Sequence, residues 1–466
     1  MSGKCLRMAM VVVVFLAWTA TEAGAAEPIA ARDFEDENWG DGLIDLRPVD
    51  LTRTDLVSNG FAGGGLEVGI PMGGFRGFGP FDRLEPLPDE AWYRYHVRLL
   101  DWNSASLGKL PGLSGIYSSS GRGCIPSTEA SPGWSARGMF GVAGTLGAQP
   151  GQVPIGTYLY HLDQAGTCGD ELWWDHAYLD PGRWQCVEGH VRMNTPGAND
   201  GLFEGWLDGK LGLSKTGLAF RRATEPQIGI RQMWLDIYFG GSYPTPNDLS
   251  LAIDQVEVST TGRVGCLDPF TDDNTSLHVK ALTELHARGL LFGCGYRLVC
   301  PERKMTRGEV AAMFARVLRL PIASKDYFAD DQGHLFENAA NKLAEAGITV
   351  GCLPNAYCPD RDLTRAEFAT MTVRALGLAA AGPDVFGDDT GHWAESAINT
   401  FAYYGFTEGC GTNRFCPNRT LTREEAASFF LRVADSLQRL GQASVSPPPS
   451  WPPPGEAPAV PAEEQD

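Results

Sequence analysis

GCLPNAYCPDRDLTRAEF, residues 351–368, is one of three copies of a pattern that decides the fold of the C-terminal part of this chain. Two cysteines lie six positions apart, a proline follows the second, and a Thr-Arg-x-Glu segment comes next. The other copies are GCGYRLVCPERKMTRGEV, from residue 293, and GCGTNRFCPNRTLTREEA, from residue 409. Their first cysteines, Cys294, Cys352 and Cys410, are 58 residues apart. A constant period of this length is typical of a structural repeat.

Each copy predicts two helices joined by a short loop that a disulfide closes. Thr-x-x-Glu is a capping box, and the three boxes begin at Thr306, Thr364 and Thr422. Apolar residues at helical spacing follow, as at Val310 and Phe314. An earlier helix in each copy is expected to end at a glycine just before the loop, since glycine favours a C-cap. The C-terminal region is therefore predicted to be an all-α bundle of three helical repeats.

The N-terminus and the charge of the chain limit its location and partners. Residues 1–26, MSGKCLRMAMVVVVFLAWTATEAGAA, combine a basic start, an apolar centre and small residues, as a secretory signal peptide does. An apolar centre of about 11 residues is too short to span a membrane, and no later segment is long enough. A net charge of -19 argues against a nucleic-acid partner. The proline-rich stretch 441–466 is predicted to be a disordered tail.

Export favours disulfides among the ten cysteines that remain after the signal peptide. Zinc binding is the alternative, but no histidine recurs at the repeat period and zinc sites use tighter spacing. A bridge across so short a loop stabilises by roughly 2 kcal/mol. We therefore expect no metal and no other cofactor. The predicted disulfides of the three repeat loops, called staples below, are Cys294–Cys300, Cys352–Cys358 and Cys410–Cys416. The other four cysteines allow three connectivities, of which we favour Cys124–Cys168 with Cys186–Cys266.

The repeat resembles the S-layer homology (SLH) domain. That family is marked by an FxD start, a glycine-containing turn and a TRAE motif. Here these read FTD, FAD and FGD; RGLLFG, AGITVG and YGFTEG; and TRGE, TRAE and TREE. The resemblance covers three repeats, residues 268–324, 325–382 and 383–440. It implies a pseudo-threefold bundle that binds cell-wall polysaccharide and holds the protein at the cell surface.

The SLH resemblance also implies which residues contact the wall glycan. The arginine of the TRAE motif lies near the glycan in that family, which points to Arg307, Arg365 and Arg423. The alternative is that these arginines only support capping and surface charge. The family often has a tryptophan soon after FxD, and only Trp393 matches it, since leucine occupies the two equivalent positions.

Residues 27–262 have a different character and predict an all-β domain. WYRYHVRLL, residues 92–100, alternates so that Tyr93 and Tyr95 face one way while Arg94 and His96 face the other. Further strand patterns are separated by turn signals such as NTPGANDG and LDGK. Strands of this kind over this length predict a two-sheet β-sandwich or jelly roll.

Three short motifs in this region carry residues suited to chemistry. GKLPGL contains Lys109, WSARGMF contains Ser135 and Arg137, and TYLYH contains Tyr158 and Tyr160. Side chains two apart on a strand share a face. If these strands are neighbours, one face gathers cations, a hydroxyl and two phenols. An apolar core would not contain that set, because buried polar groups need partners, whereas a concave carbohydrate-binding face would.

The same motifs, in this order, resemble polysaccharide lyase family 14, which includes alginate and glucuronan lyases. The resemblance runs over most of residues 60–260 and includes AWYRYHVRLLDW, RMNTPGANDGLFEGWLDGK and YFGGSYPTPND. It implies a β-jelly roll. The functional residues of that family correspond to Lys109, Ser135, Arg137, Tyr158 and Tyr160.

These residue types fit β-elimination on a uronic-acid polysaccharide. A uronate lyase removes the C5 proton beside the carboxylate and then expels the C4 oxygen. Arg137 and Lys109 suit neutralisation of that carboxylate. A tyrosine would transfer the proton if a nearby cation lowered its pKa from about 10. The sequence leaves the choice between Tyr158 and Tyr160 open.

Two alternatives to a lyase stay open. The same face would serve a lectin-like domain that binds sugar without cleaving it, and the fold does not decide between them. A glycoside hydrolase would need two close carboxylates, for which Glu171 and Asp175 are the nearest candidates, although we expect both in a loop. We thus expect a secreted protein, anchored to the cell wall, whose partners are an acidic polysaccharide substrate and the wall polysaccharide.

Overall fold

The computed structural model describes residues 28–102, 106–241 and 243–439. Strands occupy its first part and helices its second, as the two sequence patterns predict. The expected signal peptide and the proline-rich tail lie outside the described residues. The strands, with one short helix, are β1 Ala30–Arg32, α1 Pro48–Leu51, β2 Thr54–Val57, β3 Gly65–Ile70, β4 Arg76–Phe78, β5 Phe81–Arg83, β6 Glu90–Leu99, β7 Gly108–Ile116, β8 Gly133–Phe140, β9 Val153–Tyr160, β10 Asp170–Leu179, β11 Trp184–Arg192, β12 Gly201–Leu207, β13 Lys210–Leu218, β14 Gln232–Trp234, β15 Ile237–Phe239 and β16 Leu249–Ser259.

The strands form two antiparallel sheets that pack face to face as a β-sandwich. The first sheet has the order β13-β12-β11-β6-β16-β3-β2, with β1 on β16. The second has the order β10-β9-β8-β7-β14-β5, with β15 joined to β7 and β4 joined to β15. The alternation predicted for β6 is confirmed, since Tyr93, Tyr95 and Val97 are buried in the core between the sheets. The second sheet contributes alternate residues such as Leu110 and Leu159 to that core, and its other face carries the candidate site.

The helical region is built from three helix pairs. In the second helix of each pair the threonine accepts from the amide of the glutamate three residues on, as the capping boxes predict. Gly289, Gly347 and Gly405 follow the first helices with positive φ, so glycine serves there as the C-terminal cap. The helices are α2 Val279–Ala287, α3 Arg307–Val317, α4 Glu337–Glu345, α5 Arg365–Ala375, α6 Glu395–Tyr403 and α7 Arg423–Arg439.

The FxD aspartate of each repeat holds the stapled loop. Asp272 accepts hydrogen bonds from the amides of Val299 and Cys300 at 2.8 and 2.7 Å. Asp330 and Asp388 make the same pair of bonds one and two repeats later. Each loop is thus closed by a disulfide and bound by a carboxylate, which fixes the start of the next helix.

The two regions are joined by a disulfide and by side-chain contacts. The five disulfides of the structure are Cys124–Cys168, Cys186–Cys266 and the three staples. Cys186–Cys266 fastens the connection between the regions to β11. Arg183 of the sandwich forms a bidentate ion pair with Glu284 of α2, at 2.6 and 3.1 Å.

Candidate active site on the second sheet

Strand pairing places all five predicted site residues on one face of the second sheet. β8 and β9 pair so that Ser135 lies opposite Tyr160 and Arg137 lies opposite Tyr158. β7 pairs with β8 so that Lys109 lies opposite Met139, which shares the face of Arg137. The residues between them, such as Trp134 and Ala136, point into the sandwich core.

Lys109, Arg137 and Tyr158 form the centre of this face. The ammonium of Lys109 lies 3.7 Å from the centroid of the Tyr158 ring, and the Arg137 guanidinium carbon lies 5.9 Å from it. All three side chains are buried to nine-tenths or more. The arrangement brings two cationic groups and one phenol together in a desolvated setting, where electrostatic interactions are strong.

Two residues of this centre were not among the sequence candidates. Asp236, between β14 and β15, accepts a hydrogen bond from Nη1 of Arg137 at 2.6 Å. The Trp234 ring lies 4.6 Å from the guanidinium carbon of Arg137. The register puts Gly112 between Trp234 and Arg137. A Cβ at this position would lie 2.3 Å from the Ala136 carbonyl oxygen, so glycine permits the close approach of β7 and β8 here. A carboxylate inside the apolar strand pattern MWLDIYF was the available signal.

Burial sets the protonation of the central groups. It lowers the pKa of Lys109 to about 8, with Arg137 adding to the decrease while Asp236 and Glu171 oppose it. It raises the pKa of Tyr158 to about 12, with Tyr160 adding to the increase while Arg137 opposes it. The nearby Arg137 therefore does not lower the pKa of Tyr158 below about 10, because desolvation outweighs it. Tyr158 is therefore protonated at neutral pH and can donate a proton, whereas Lys109 is the group that titrates near neutral pH.

Ser135 and Tyr160 lie beside this centre on the same face and contact a neighbouring loop. The Ser135 hydroxyl donates to the carbonyl of Gly121 at 2.8 Å, and the Tyr160 hydroxyl accepts from the amide of Cys124 at 2.8 Å. Both side chains are almost fully buried. The Cys124–Cys168 disulfide ties the same loop to the start of β10. These two residues fix a loop beside the site, whereas Tyr158 faces the cations.

Glu171 and Asp175 do not lie in a loop, which corrects the sequence expectation. Both belong to β10, because Leu172, Trp173 and Trp174 continue an extended strand that pairs with β9. Glu171 lies opposite Tyr158 and so shares the face of the site. Asp175 is exposed, beyond an irregularity in the pairing, and lies 3.4 Å from His176.

The predicted anchoring arginines are buried between the helical repeats. Nε of Arg307 donates to the carbonyl of Tyr357 at 2.9 Å, and Arg365 donates to Phe415 at 2.7 Å. Arg423 donates to Val299 at 2.8 Å, which closes the ring of three repeats. All three arginines are at most 6 % exposed. These contacts give the arginines a structural role, and glycan contact by them stays a prediction.

Trp393 and its two equivalents lie on the surface of the bundle. Trp393 is 52 % exposed, and Leu335 and Leu277, one and two repeats earlier in the chain, are 86 % and 97 % exposed. Single exposed apolar side chains are common on protein surfaces, so glycan contact by Trp393 stays a prediction, as it does for the arginines.

Comparisons with known proteins bear on both regions. Residues 71–254 match the family model of polysaccharide lyase 14. Residues 385–427 match the S-layer homology domain. The lyase match includes every residue of the site described above, and the SLH match includes Trp393 and Arg423.

Curated relatives match about a third of the chain. The chain is 31% identical over 154 residues to a cellulosome-anchoring protein of Acetivibrio thermocellus, covering 30% of this chain and 33% of that protein. It is 27% identical over 162 residues to an S-layer protein of Bacillus thuringiensis, covering 33% of this chain and 20% of that protein. The chain thus spans a third or less of the length of these relatives.

Solved structures with similarity to this chain include two alginate lyases. The alginate lyase of Aplysia kurodai is 18% identical, with a TM-score of 0.41, over 50% of this chain and 100% of that one. An alginate lyase from a Chlorella virus is 18% identical, with a TM-score of 0.40, over 50% of this chain and 99% of that one. Both scores are below 0.5, so the fold assignment rests on the strand pairing above.

Four groups of potential metal ligands lie in the described parts of the chain, 28–102, 106–241 and 243–439. Each group of three potential metal ligands found there consists of one disulfide and one carboxylate, and a disulfide sulfur offers no thiolate to a metal. Among these residues no helix combines the length and apolarity needed to cross a bilayer. The carboxylates of these groups are Glu188, Asp272, Asp330 and Asp388.

Proposed function

We propose that this protein is a secreted polysaccharide lyase that cleaves a uronic-acid polysaccharide by β-elimination while anchored to the cell wall. The observation that carries the proposal is the convergence of Lys109, Arg137 and Tyr158 on one face. The match of residues 71–254 to the polysaccharide lyase 14 family supports it.

In this proposal Arg137 binds the substrate carboxylate by charge-assisted hydrogen bonds. As the proton leaves C5, negative charge spreads onto the carboxylate, and a guanidinium already in place stabilises that charge. Arg137 is well suited because Asp236 and Trp234 hold it on two sides. Little reorganisation is then needed at the moment of reaction.

Lys109 and Tyr158 divide the proton transfers between them. Neutral Lys109 takes the C5 proton, since a pKa of about 8 leaves part of it unprotonated near neutral pH. Tyr158, protonated because of its raised pKa, donates its proton to the C4 oxygen as the C4–O bond breaks. The electron pair of the C5–H bond becomes the C4–C5 double bond. Water then returns the proton from Lys109 to Tyr158, and no external reactant is consumed.

The helical region is proposed to be three SLH repeats that bind wall polysaccharide. The match of residues 385–427 supports one repeat directly, and the shared capping boxes, staples and arginine contacts support the same fold for the other two. Similarity to S-layer and cellulosome-anchoring proteins fits a location at the cell surface.

Turnover on a panel of polyuronates tests the lyase proposal. The C4–C5 double bond is conjugated with the carboxylate, so product formation is followed by ultraviolet absorbance. We expect the wild-type chain to form product on at least one substrate and Arg137→Ala to lose about a hundredfold in rate, from the loss of about 3 kcal/mol of transition-state stabilisation. Tight binding of the panel with no product on any substrate would favour the lectin alternative.

Co-sedimentation with isolated cell-wall sacculi tests the anchoring proposal. The full chain is expected to sediment with intact sacculi and to remain in solution when the secondary polysaccharide has been stripped from them. Equal sedimentation with both preparations would contradict glycan anchoring.

A further inference from the structure

Asp236 forms an ion pair with Arg137 that the proposed chemistry does not by itself require. It lies between β14 and β15, is 5 % exposed, and contacts Nη1 of an equally buried guanidinium at 2.6 Å. The Nε–H of Arg137 is also buried and has no hydrogen-bond partner among the described residues. A buried donor without a partner is costly, so this side of the guanidinium is suited to a ligand.

The ion pair with Asp236 determines which edge of the Arg137 guanidinium remains available to bind a substrate. A carboxylate binds a guanidinium best through two parallel N–H donors. Asp236 occupies Nη1, and so the edge formed by Nε and Nη2 is the one left. The Trp234 ring, 4.6 Å from the guanidinium carbon, limits rotation of that edge. Asp236 and Trp234 thus determine how Arg137 meets the uronate carboxylate.

The charges at the centre of the face are balanced. Lys109 and Arg137 are the cations, and Asp236 and Glu171 are the carboxylates that act electrostatically on Lys109. Asp236 offsets the charge of Arg137 by direct contact, and the exposed Glu171 acts on Lys109 from β10, so the free site has little surplus positive charge to attract a dense polyanion. The chain as a whole, with a net charge of -19, adds repulsion.

We propose that Asp236 is a positioning and specificity-determining residue: it fixes Arg137 for the substrate carboxylate and cancels its charge, so the site prefers a uronate flanked by neutral sugars over a uniformly charged polyuronate. This inference rests on the proposed lyase function. It adds a preference for substrates of lower charge density. It also assigns a role to a residue that acts through Arg137 and does not contact the reacting atoms.

Two variants of the full chain distinguish the effect of Asp236 on the position of Arg137 from the effect of its negative charge. Asp236→Asn keeps an oxygen acceptor for Nη1 and removes the charge, whereas Asp236→Glu keeps the charge and displaces the guanidinium. Asp175→Asn is the matched control, since it removes an exposed carboxylate from β10 outside the site. The probes are a uronate homopolymer and a copolymer in which uronate alternates with a neutral sugar, each at low and high ionic strength.

Wild type is expected to have the higher kcat/KM on the copolymer. In Asp236→Asn, KM for the homopolymer should fall about tenfold at low ionic strength and rise steeply with salt, while kcat changes only a few-fold. In Asp236→Glu, kcat should fall about a hundredfold with little change in the salt dependence of KM, because a misplaced guanidinium no longer meets the carboxylate. The acid limb of the pH profile should move to lower pH in Asp236→Asn alone, since Asp236 raises the pKa of Lys109.

Failure of this inference is distinguishable from failure of the proposed function. If wild type cleaves but Asp236→Asn has the KM, salt dependence and pH profile of Asp175→Asn, the role of Asp236 is refuted and the lyase remains. If wild type cleaves nothing, calorimetry with a uronate oligosaccharide still tests Asp236, and equal affinity of Asp236→Asn and wild type would refute it. If Asp236→Asn does not fold, an unchanged kcat in Asp236→Glu would refute it.

Discussion

Arg307→Ala tests whether the arginines of the TRAE motif support the bundle or contact wall glycan. Arg307 is 3 % exposed, and its guanidinium donates to the Tyr357 carbonyl and to Glu367, both at 2.9 Å. Alanine removes both bonds and the stacking on the Tyr357 ring. Glu367 keeps its ion pair with Arg361, so the Tyr357 carbonyl is the one group left without this donor. We expect a loss of about 3 kcal/mol in the free energy of unfolding, the lower end for breaking a buried pair.

Calorimetry of the full chain measures this effect. For a unit of this size about 3 kcal/mol corresponds to a decrease of about 6–12 °C in the Tm of the helical region. Arg303→Ala is the matched control, because Arg303 pairs with Glu309 on the exposed surface of the same repeat. That variant should lose at most about 1 kcal/mol. An Arg307→Ala protein that melts with wild type but no longer binds sacculi would refute the structural role and establish glycan contact.

Three further predictions concern the site and the staples. Tyr158→Phe should abolish most turnover, whereas Tyr160→Phe should mainly lower stability, because the Tyr160 hydroxyl binds the Cys124 amide; equal losses of kcat in the two variants would contradict this division. The kcat/KM of wild type should rise with pH through about 8, where Lys109 loses its proton, and then level off; a rate independent of pH across that range would exclude Lys109 as the base. Replacing Cys352 and Cys358 together by serine should lower the stability of the bundle by roughly 2 kcal/mol in denaturant titrations, and no change would mean that Asp330 alone holds the loop.

Local sequence patterns were sufficient for most of the fold. Capping boxes, glycine C-caps and period-two alternation act over a few residues, so Thr364 and Tyr93 have their structural roles wherever the rest of the chain lies. The shared face of Ser135 with Arg137, and of Tyr158 with Tyr160, follows from the same period. The repeat period also predicted three equivalent loops, each with its own disulfide.

The parts that sequence did not predict depend on contacts between distant residues. Asp236 reaches Arg137 only because β14 and β15 pair with β7, a register that no local pattern specifies. The expectation that Glu171 lies in a loop is wrong because pairing with β9 extends β10 through this residue. The raised pKa of Tyr158 depends on burial by the surrounding strands, and the charges of nearby residues do not reveal that burial.

The central claim is that the site cleaves a uronic-acid polysaccharide by β-elimination. Mass spectrometry of the products formed from a uronate oligosaccharide of defined length tests it most directly. Elimination adds no water across the broken bond, so we predict fragments that carry a C4–C5 double bond at the new non-reducing end and whose masses sum to the mass of the substrate. Fragments without a double bond, whose masses sum to the substrate plus one water, would show hydrolysis and contradict the account.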